Sequence, residues 1–92
     1  MKKVYLDNAS TTQLRPEVVQ EMTKVLSEDY GNPSSTHSLG RNAKSILELS
    51  RKSIAKQLNS SAPEIIFTSC GTEANNWILR SVVKDLKVKR II

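Results

Sequence analysis

Residues Ser69–Glu73 carry the sequence feature best suited to chemistry. An apolar run, Glu64–Thr68, precedes them and a helical pattern follows, so the turn presents the first backbone N–H groups of a helix. Such groups and the positive end of the helix dipole attract anions. Gly71 permits close approach to the backbone, and the Thr72 hydroxyl can add a hydrogen bond. We therefore predict a phosphate-binding turn; the alternative is that Thr72 is only a helix N-cap.

The turn lacks two common phosphate-binding motifs, and their absence limits the kind of phosphate ligand that it can bind. It has neither the Gly-Lys-Ser/Thr end of a Walker loop nor the three glycines of a dinucleotide fingerprint. A mononucleotide or a phosphorylated cofactor therefore fits this turn better than a dinucleotide.

Few other residues offer chemistry. The only cysteine is Cys70, whose pKa a helix N-terminus would lower. No base is placed beside it, and free cysteines are commonly buried, so we expect a structural role. The only histidine, His37, excludes a multi-histidine metal site and is expected to cap or pack against a helix. Asn32-Pro33 is either a substrate-facing loop or a tight turn, and Glu73 is expected to be solvated or capping.

Apolar residues at helical spacing predict three amphipathic helices. The first covers about 16–28 and begins with Pro16, which suits a first helical turn. The second and longest runs from about Ser38 to near Leu58. The third follows the phosphate turn, with apolar positions Ala74, Trp77, Ile78, Val82 and Leu86. Clusters of Gly, Asn, Ser and Pro predict loops at 30–35 and 59–63.

Extended segments complete the predicted order. Glu64–Thr68 is a continuous apolar run, which is typical of a strand buried on both faces of a parallel sheet. Val4–Leu6 predicts a very short strand or an extended arm, and Lys89–Ile92 predicts the beginning of another strand. The order indicates an α/β fold. Because two or three short strands cannot bury a two-sided sheet, we expect the chain to be a fragment of a larger fold.

Composition excludes several classes of protein. The 92 residues hold 38% hydrophobic and 25% charged residues, as in ordinary globular chains. One cysteine cannot form an internal disulfide and no apolar run spans a membrane, so we expect a cytoplasmic protein without a membrane partner. The net charge of +5 is concentrated after residue 40. The helical spacing of the basic residues Arg80, Lys84 and Lys87 is typical of a solvated helix face. The few aromatic residues are scattered and offer no surface on which bases could stack, so we expect no nucleic-acid binding.

Three motifs occur in order along the chain: VYLDNASTT at 4–12, GNPSSTH at 31–37 and EIIFTSCGTEANN at 64–76. Together they resemble the N-terminal part of the cysteine desulfurases, which include the nitrogen-fixation and iron–sulfur-cluster enzymes. The resemblance implies an aspartate-aminotransferase-like (fold type I) enzyme of aminotransferase class V. Such an enzyme uses pyridoxal 5′-phosphate and works as a homodimer.

The resemblance also implies a reaction. These transferases convert L-cysteine to L-alanine and leave the sulfur as a persulfide on an enzyme cysteine. The sulfur then passes to an iron–sulfur scaffold protein or another acceptor in a thiolation pathway.

Site residues follow from the same resemblance, position by position. Those matching the cofactor-phosphate turn are Gly71 and Thr72, and those in the vicinity of the substrate are Asn8, Ala9, Asn32 and His37. The N-terminal arm, 1–14, is expected to associate with the small domain, and 15–92 to begin the large cofactor-binding domain, which is incomplete here.

The family's catalytic groups are implied to lie beyond Ile92. They include the lysine that binds the cofactor and the cysteine that carries the persulfide, so Cys70 is not the catalytic cysteine. We expect no catalytic and no metal-binding residue in these 92 residues, and no activity from them alone.

Two alternatives remain open. One is a related class V enzyme, such as a selenocysteine lyase or an aminotransferase, which shares the cofactor and differs in substrate. The other is a stand-alone small basic binding module that retains only the ancestry.

Overall fold

All regular secondary structure in the chain is helical. The computed structural model describes residues 1–92, with helix α1 at Pro16–Glu28, α2 at Ser38–Gln57 and α3 at Gly71–Lys84. A single 3-10 turn spans Ala62–Glu64. The three predicted helices are confirmed, and the two predicted loops separate them.

The start of α1 follows from its sequence. Pro16 stands at the first helical position, where its missing N–H is not needed and its fixed φ angle suits a helix. Glu17 places a negative charge in the first turn, beside the positive end of the helix dipole. No residue of α1 is buried, and the side chain of Leu26 on its apolar face is 72% exposed.

The end of α2 is a Schellman motif centred on Asn59. Asn59 adopts a left-handed conformation with φ of 52°, which asparagine tolerates better than most residues. The N–H of Ser60 donates to the carbonyl of Ala55 at 2.9 Å, and the N–H of Asn59 donates to Lys56 at 3.3 Å. These bonds satisfy the last carbonyls of α2 and turn the chain toward residues 60–64.

Glycine lets the 31–37 loop pack directly on the backbone of α2. Gly40, in the first turn of that helix, is buried. A β-carbon at Gly40 would lie 2.4 Å from the carbonyl oxygen of Ser35 and 2.7 Å from that of Asn32. One at Gly31 would lie 2.3 Å from the carbonyl oxygen of Leu39. Real β-carbons do not approach oxygens so closely, so both contacts require glycine.

The predicted strands are absent, and this prediction is wrong for the chain by itself. Residues 4–6, 64–68 and 89–92 form no ladder. Glu64 instead ends the 3-10 turn, and Ile65 continues with extended backbone at φ −93° and ψ 118°. A strand exists only through hydrogen bonds to a neighbouring strand, and these residues supply no neighbour.

Contacts divide the chain into two compact units, Met1–Ser50 and Arg51–Ile92. Gly40 is the buried residue of the first unit, and Ala55, 3% exposed, is that of the second. The domain boundary predicted after residue 14 stays a prediction. None of the helices is both long and apolar enough to cross a membrane.

Candidate functional site

The predicted phosphate turn lies at the start of α3. Cys70 is the N-cap residue, with extended backbone at φ −166° and ψ 171°. The first hydrogen bond of the helix runs from the N–H of Ala74 to the carbonyl of Cys70, at 3.2 Å. The N–H groups of Gly71, Thr72 and Glu73 therefore precede the helical ladder. The alternative that Thr72 is the N-cap is wrong, because Thr72 is already the second residue of the helix.

Gly71 borders open space at the start of α3. Apart from its chain neighbours and the backbone of its own helix, nothing lies within 4 Å of the position that a β-carbon would take at Gly71. This differs from Gly31 and Gly40, whose missing β-carbons make room for the protein's own backbone. The room at Gly71 is therefore not filled by the protein's own atoms, so a ligand can approach the backbone there.

Cys70 is exposed, so the burial on which the expectation of a structural role rested is absent, and the role itself stays a prediction. Cysteine burial depends on a surrounding core, and the segment before α3 has none within this chain. The pKa of the Cys70 thiol is lowered, first by the backbone N–H of Glu73, then by the hydroxyl of Ser69, with smaller contributions from Thr72. The donors at the start of α3 thus stabilise a negative charge at the Sγ atom.

Glu73 has the capping role that the sequence predicted. Its Oε2 accepts hydrogen bonds from the N–H of Ser69, at 2.8 Å, and from the hydroxyl of Ser69. These bonds lower the pKa of the Glu73 carboxyl, with the hydroxyl contributing most. The carboxylate therefore binds back to the residue before the N-cap.

The donors at this turn suit a phosphate. Three backbone N–H groups precede the ladder of a 14-residue helix, the Thr72 hydroxyl lies beside them, and Gly71 gives access. The lowered pKa of Cys70 indicates that the same donors favour an anion. Gly71 and Thr72 therefore fit a phosphate group chemically, and their assignment to a cofactor stays a prediction.

Asn8 and Ala9 lie in an exposed turn of the first unit. The N–H of Ser10 and that of Thr11 both donate to the carbonyl of Asp7, at 3.1 and 3.3 Å. Tyr5 closes the turn through a 2.6 Å hydrogen bond between its hydroxyl and that of Thr11. The turn is held by residues 5–11, and both predicted side chains face solvent.

Asn32 and His37 lie at the two ends of one loop, which the structure brings together with the start of α2. Asn32 Oδ1 accepts from the N–H of Ser34 at 3.0 Å. His37 Nδ1 accepts from the N–H of Gly40 at 3.4 Å, so the expectation that His37 caps the long helix is confirmed. This bond uses Nδ1 as the acceptor and does not involve Nε2 of the exposed ring.

Arg51 is a residue that no sequence motif indicates. Its Nη1 donates to the carbonyl of Ile65, and its Cζ atom lies 4.9 Å from the centre of the Phe67 ring. These partners are 14 and 16 residues away, a separation that neither helical nor strand periodicity links. Only the path of the chain through 58–65 brings them together.

Comparison with solved structures defines the fold class. A NifS-like protein superposes with a TM-score of 0.87 and 43% sequence identity, over 94% of this chain and 24% of that one. The fold is therefore aspartate-aminotransferase-like (fold type I), as predicted. The 92 residues contribute helices to that α/β fold, and its sheet is not formed within them.

Sequence comparison defines the family. The profile of aminotransferase class-V matches residues 4–92, and the chain belongs to this family. A selenocysteine lyase of Homo sapiens is 53% identical over 83 residues, which are 90% of this chain and 19% of the lyase. Cysteine desulfurase IscS of Dictyoglomus turgidum is 47% identical over 88 residues, 96% of this chain and 22% of the desulfurase. The chain thus spans about a fifth of the length of these relatives.

Proposed function

We propose that these residues form the N-terminal part of a pyridoxal-phosphate-dependent cysteine desulfurase. The enzyme converts L-cysteine to L-alanine and passes the sulfur, as a persulfide on a cysteine outside residues 1–92, to an iron–sulfur scaffold or thiolation partner. The main support for the proposal is the start of α3. There, the first backbone N–H groups of the helix, which have no intrahelical acceptor, and the Thr72 hydroxyl favour an anion. Family membership and the similarity to cysteine desulfurases support it.

Within this proposal, Gly71 and Thr72 hold the cofactor phosphate. The bound cofactor supplies an aldehyde and an electron sink. This chain contributes anchoring: the N–H groups donate to the phosphate oxygens, the Thr72 hydroxyl adds a hydrogen bond, and the helix dipole favours the negative charge.

The remaining predicted residues border the substrate. Asn8 and Ala9 form part of an N-terminal arm, 1–14, that associates with the small domain of the complete enzyme. Asn32 and His37 form a loop beside the active site, and His37, which accepts the Gly40 N–H through Nδ1, presents Nε2 to it. Residues 15–92 begin the large cofactor-binding domain of a cytoplasmic homodimer.

A selenocysteine lyase is the second candidate. The observation that favours it is the 53% identity to the human lyase, against 47% to the desulfurase of Dictyoglomus turgidum. Both candidates would use the same phosphate turn. The difference between them is the substrate they accept. Membership of a family of enzymes argues against the stand-alone binding module.

The test uses the intact gene product that contains residues 1–92. The protein is stripped of cofactor and titrated with pyridoxal phosphate and, as control, with pyridoxal, which lacks the phosphate. We expect far tighter binding of the phosphorylated form. The loaded protein is then given L-cysteine or L-selenocysteine, and alanine formation is measured.

The outcomes separate the candidates. Alanine from L-cysteine supports the desulfurase, and alanine from L-selenocysteine alone supports the lyase. Equal affinity for pyridoxal and pyridoxal phosphate would contradict the phosphate site and, with it, the proposed function.

A further inference from the structure

Arg51 connects the last turns of α2 with the extended segment 65–69. It is half-buried, its Nη1 donates to the carbonyl of Ile65, and its guanidinium lies over the Phe67 ring at 4.9 Å. One side chain therefore fixes both the backbone and a side chain of the segment.

The far end of this segment is bonded to the start of α3. The Thr68 hydroxyl donates to the carbonyl of the N-cap residue Cys70 at 3.1 Å. The N–H of Ser69 donates to the Glu73 carboxylate at 2.8 Å. Contacts thus run from Arg51 along residues 65–69 to the carbonyl of Cys70 and the carboxylate of Glu73, the two residues that flank Gly71 and Thr72.

We propose that Arg51 is a positioning residue for the anion-binding start of α3. By holding Ile65 and Phe67 it fixes the extended segment, and the segment in turn fixes the direction of the N–H groups at the helix start. That the anion is a cofactor phosphate rests on the proposed function; the positioning itself does not.

Arginine suits this role better than lysine. A planar guanidinium can stack on an aromatic ring and donate in its own plane to a carbonyl at the same time. A lysine ammonium is a compact charge that keeps the positive sign but loses the stacked geometry. Arg51→Lys therefore separates the charge of the side chain from its shape.

The first measurement needs no cofactor. Cys70 alkylation by iodoacetamide is followed against pH in the cofactor-free intact gene product, by mass spectrometry of the peptide that contains Cys70. Because the donors of the helix start lower the thiol pKa, a displaced helix start raises the midpoint of the profile. For Arg51→Met we expect a higher midpoint, so that the rate at a pH below the midpoint falls about threefold.

The second measurement is the preference for phosphate. We expect the ratio of the dissociation constants of pyridoxal and pyridoxal phosphate to fall about three- to tenfold in Arg51→Met, as for a weakened hydrogen bond to a charged group. Arg51→Lys and Phe67→Leu should shift both readouts in the same direction by less. Arg80→Met, which removes an arginine from the exposed surface of α3, is the matched control and should change neither.

The outcomes distinguish this inference from the proposed function. If wild-type protein does not prefer pyridoxal phosphate, the proposed function fails, and the Cys70 profile still decides whether Arg51 positions the turn. An unchanged Cys70 profile in Arg51→Met overturns the positioning role. Should Arg51→Met fail to fold, Arg51→Lys and Phe67→Leu carry the same comparison, and wild-type profiles in both overturn it.

Discussion

At the scale of single residues, the start of α3 concentrates most of the chemistry of this chain. Cys70, Thr72 and Glu73 each occupy a defined helix-terminal position, and their polar groups bond locally. The sequence located this turn through its glycine and its place between an apolar run and a helix. It misplaced the N-cap by two residues, because Ser, Thr and Asp are the usual caps and a cysteine is not.

Cys70 should titrate below the usual range of a cysteine thiol. The backbone N–H of Glu73 and the Ser69 hydroxyl stabilise its thiolate, so the folded protein reaches its full alkylation rate at lower pH than the unfolded protein. The check is iodoacetamide labelling of Cys70 against pH, in the intact gene product without cofactor and again in guanidinium chloride. Coincident profiles in the two conditions would contradict the geometry of the helix start.

Thr72→Ala should weaken cofactor binding. It removes one hydrogen bond to a charged phosphate, a loss of about 1–3 kcal/mol in binding free energy. Equilibrium dialysis with pyridoxal phosphate measures it in the intact gene product. Thr72→Ser keeps the hydroxyl and is the matched control, so it should bind nearly as wild type does. An alanine variant with wild-type affinity would remove Thr72 from the site.

At the scale of elements, the three helices could be predicted because their signals are local. Apolar spacing, Pro16 at a helix start and the 59–63 breaker all act within a few residues. The strands could not be predicted from local signals, because the apolar run at 65–68 is extended but becomes a strand only when another strand pairs with it. No sequence pattern predicted the close packing of the 31–37 loop on α2 either.

Gly40→Ala should loosen the start of α2. Alanine favours a helix interior by up to about 1 kcal/mol over glycine, but its β-carbon would meet the carbonyl oxygens of Ser35 and Asn32. Overpacking of this kind costs about 1–3 kcal/mol, so the clash outweighs the propensity. Hydrogen exchange of the amides in the first turns of α2 measures the loss as a lower free energy of local opening.

Gly71→Ala is the control for this prediction. Apart from its chain neighbours and the backbone of its own helix, its β-carbon meets nothing within 4 Å, so the start of α3 should keep its protection against exchange in the cofactor-free protein. Equal protection of α2 in wild type and Gly40→Ala would show that the loop does not pack as described.

At the scale of the whole molecule, the exposed surface is too large for an independent domain. The chain exposes 8703 Å², whereas a folded monomer of 10.3 kDa exposes about 5,400 Å². Trp77, Ile78 and Phe67 are all exposed by more than 40%. The apolar faces of the helices therefore fit a larger structure, as the short coverage of the relatives also indicates.

The 92-residue chain expressed by itself should unfold without a cooperative transition. Only Ala55 forms a buried apolar core, which is too little to offset the conformational entropy of ordering the backbone. Circular dichroism against temperature should give a broad, shallow loss of helix. A sharp two-state transition would instead favour the stand-alone module.

The same chain should form no alanine and release no sulfide from L-cysteine. Our proposal places the catalytic lysine and the persulfide cysteine outside residues 1–92, and chemistry of this class needs the lysine to hold the cofactor aldehyde. Product formation is measured against a heat-treated sample of the same chain. Alanine or sulfide above that background would contradict the assignment of the catalytic groups.

The sequence by itself determined the three helices and the loops between them. It also indicated capping as one of two roles for His37 and for Glu73, and it located the turn that we propose to bind phosphate. These features depend on residues within a few positions of one another, where propensity and side-chain chemistry act directly. Only the tertiary structure decided that Cys70 is exposed and that Arg51 reaches Ile65 and Phe67. It also decided that Gly31 and Gly40 allow the 31–37 loop to pack against the backbone of α2. Those features depend on contacts, or on the lack of contacts, between residues far apart in the sequence, and local sequence patterns do not specify such contacts.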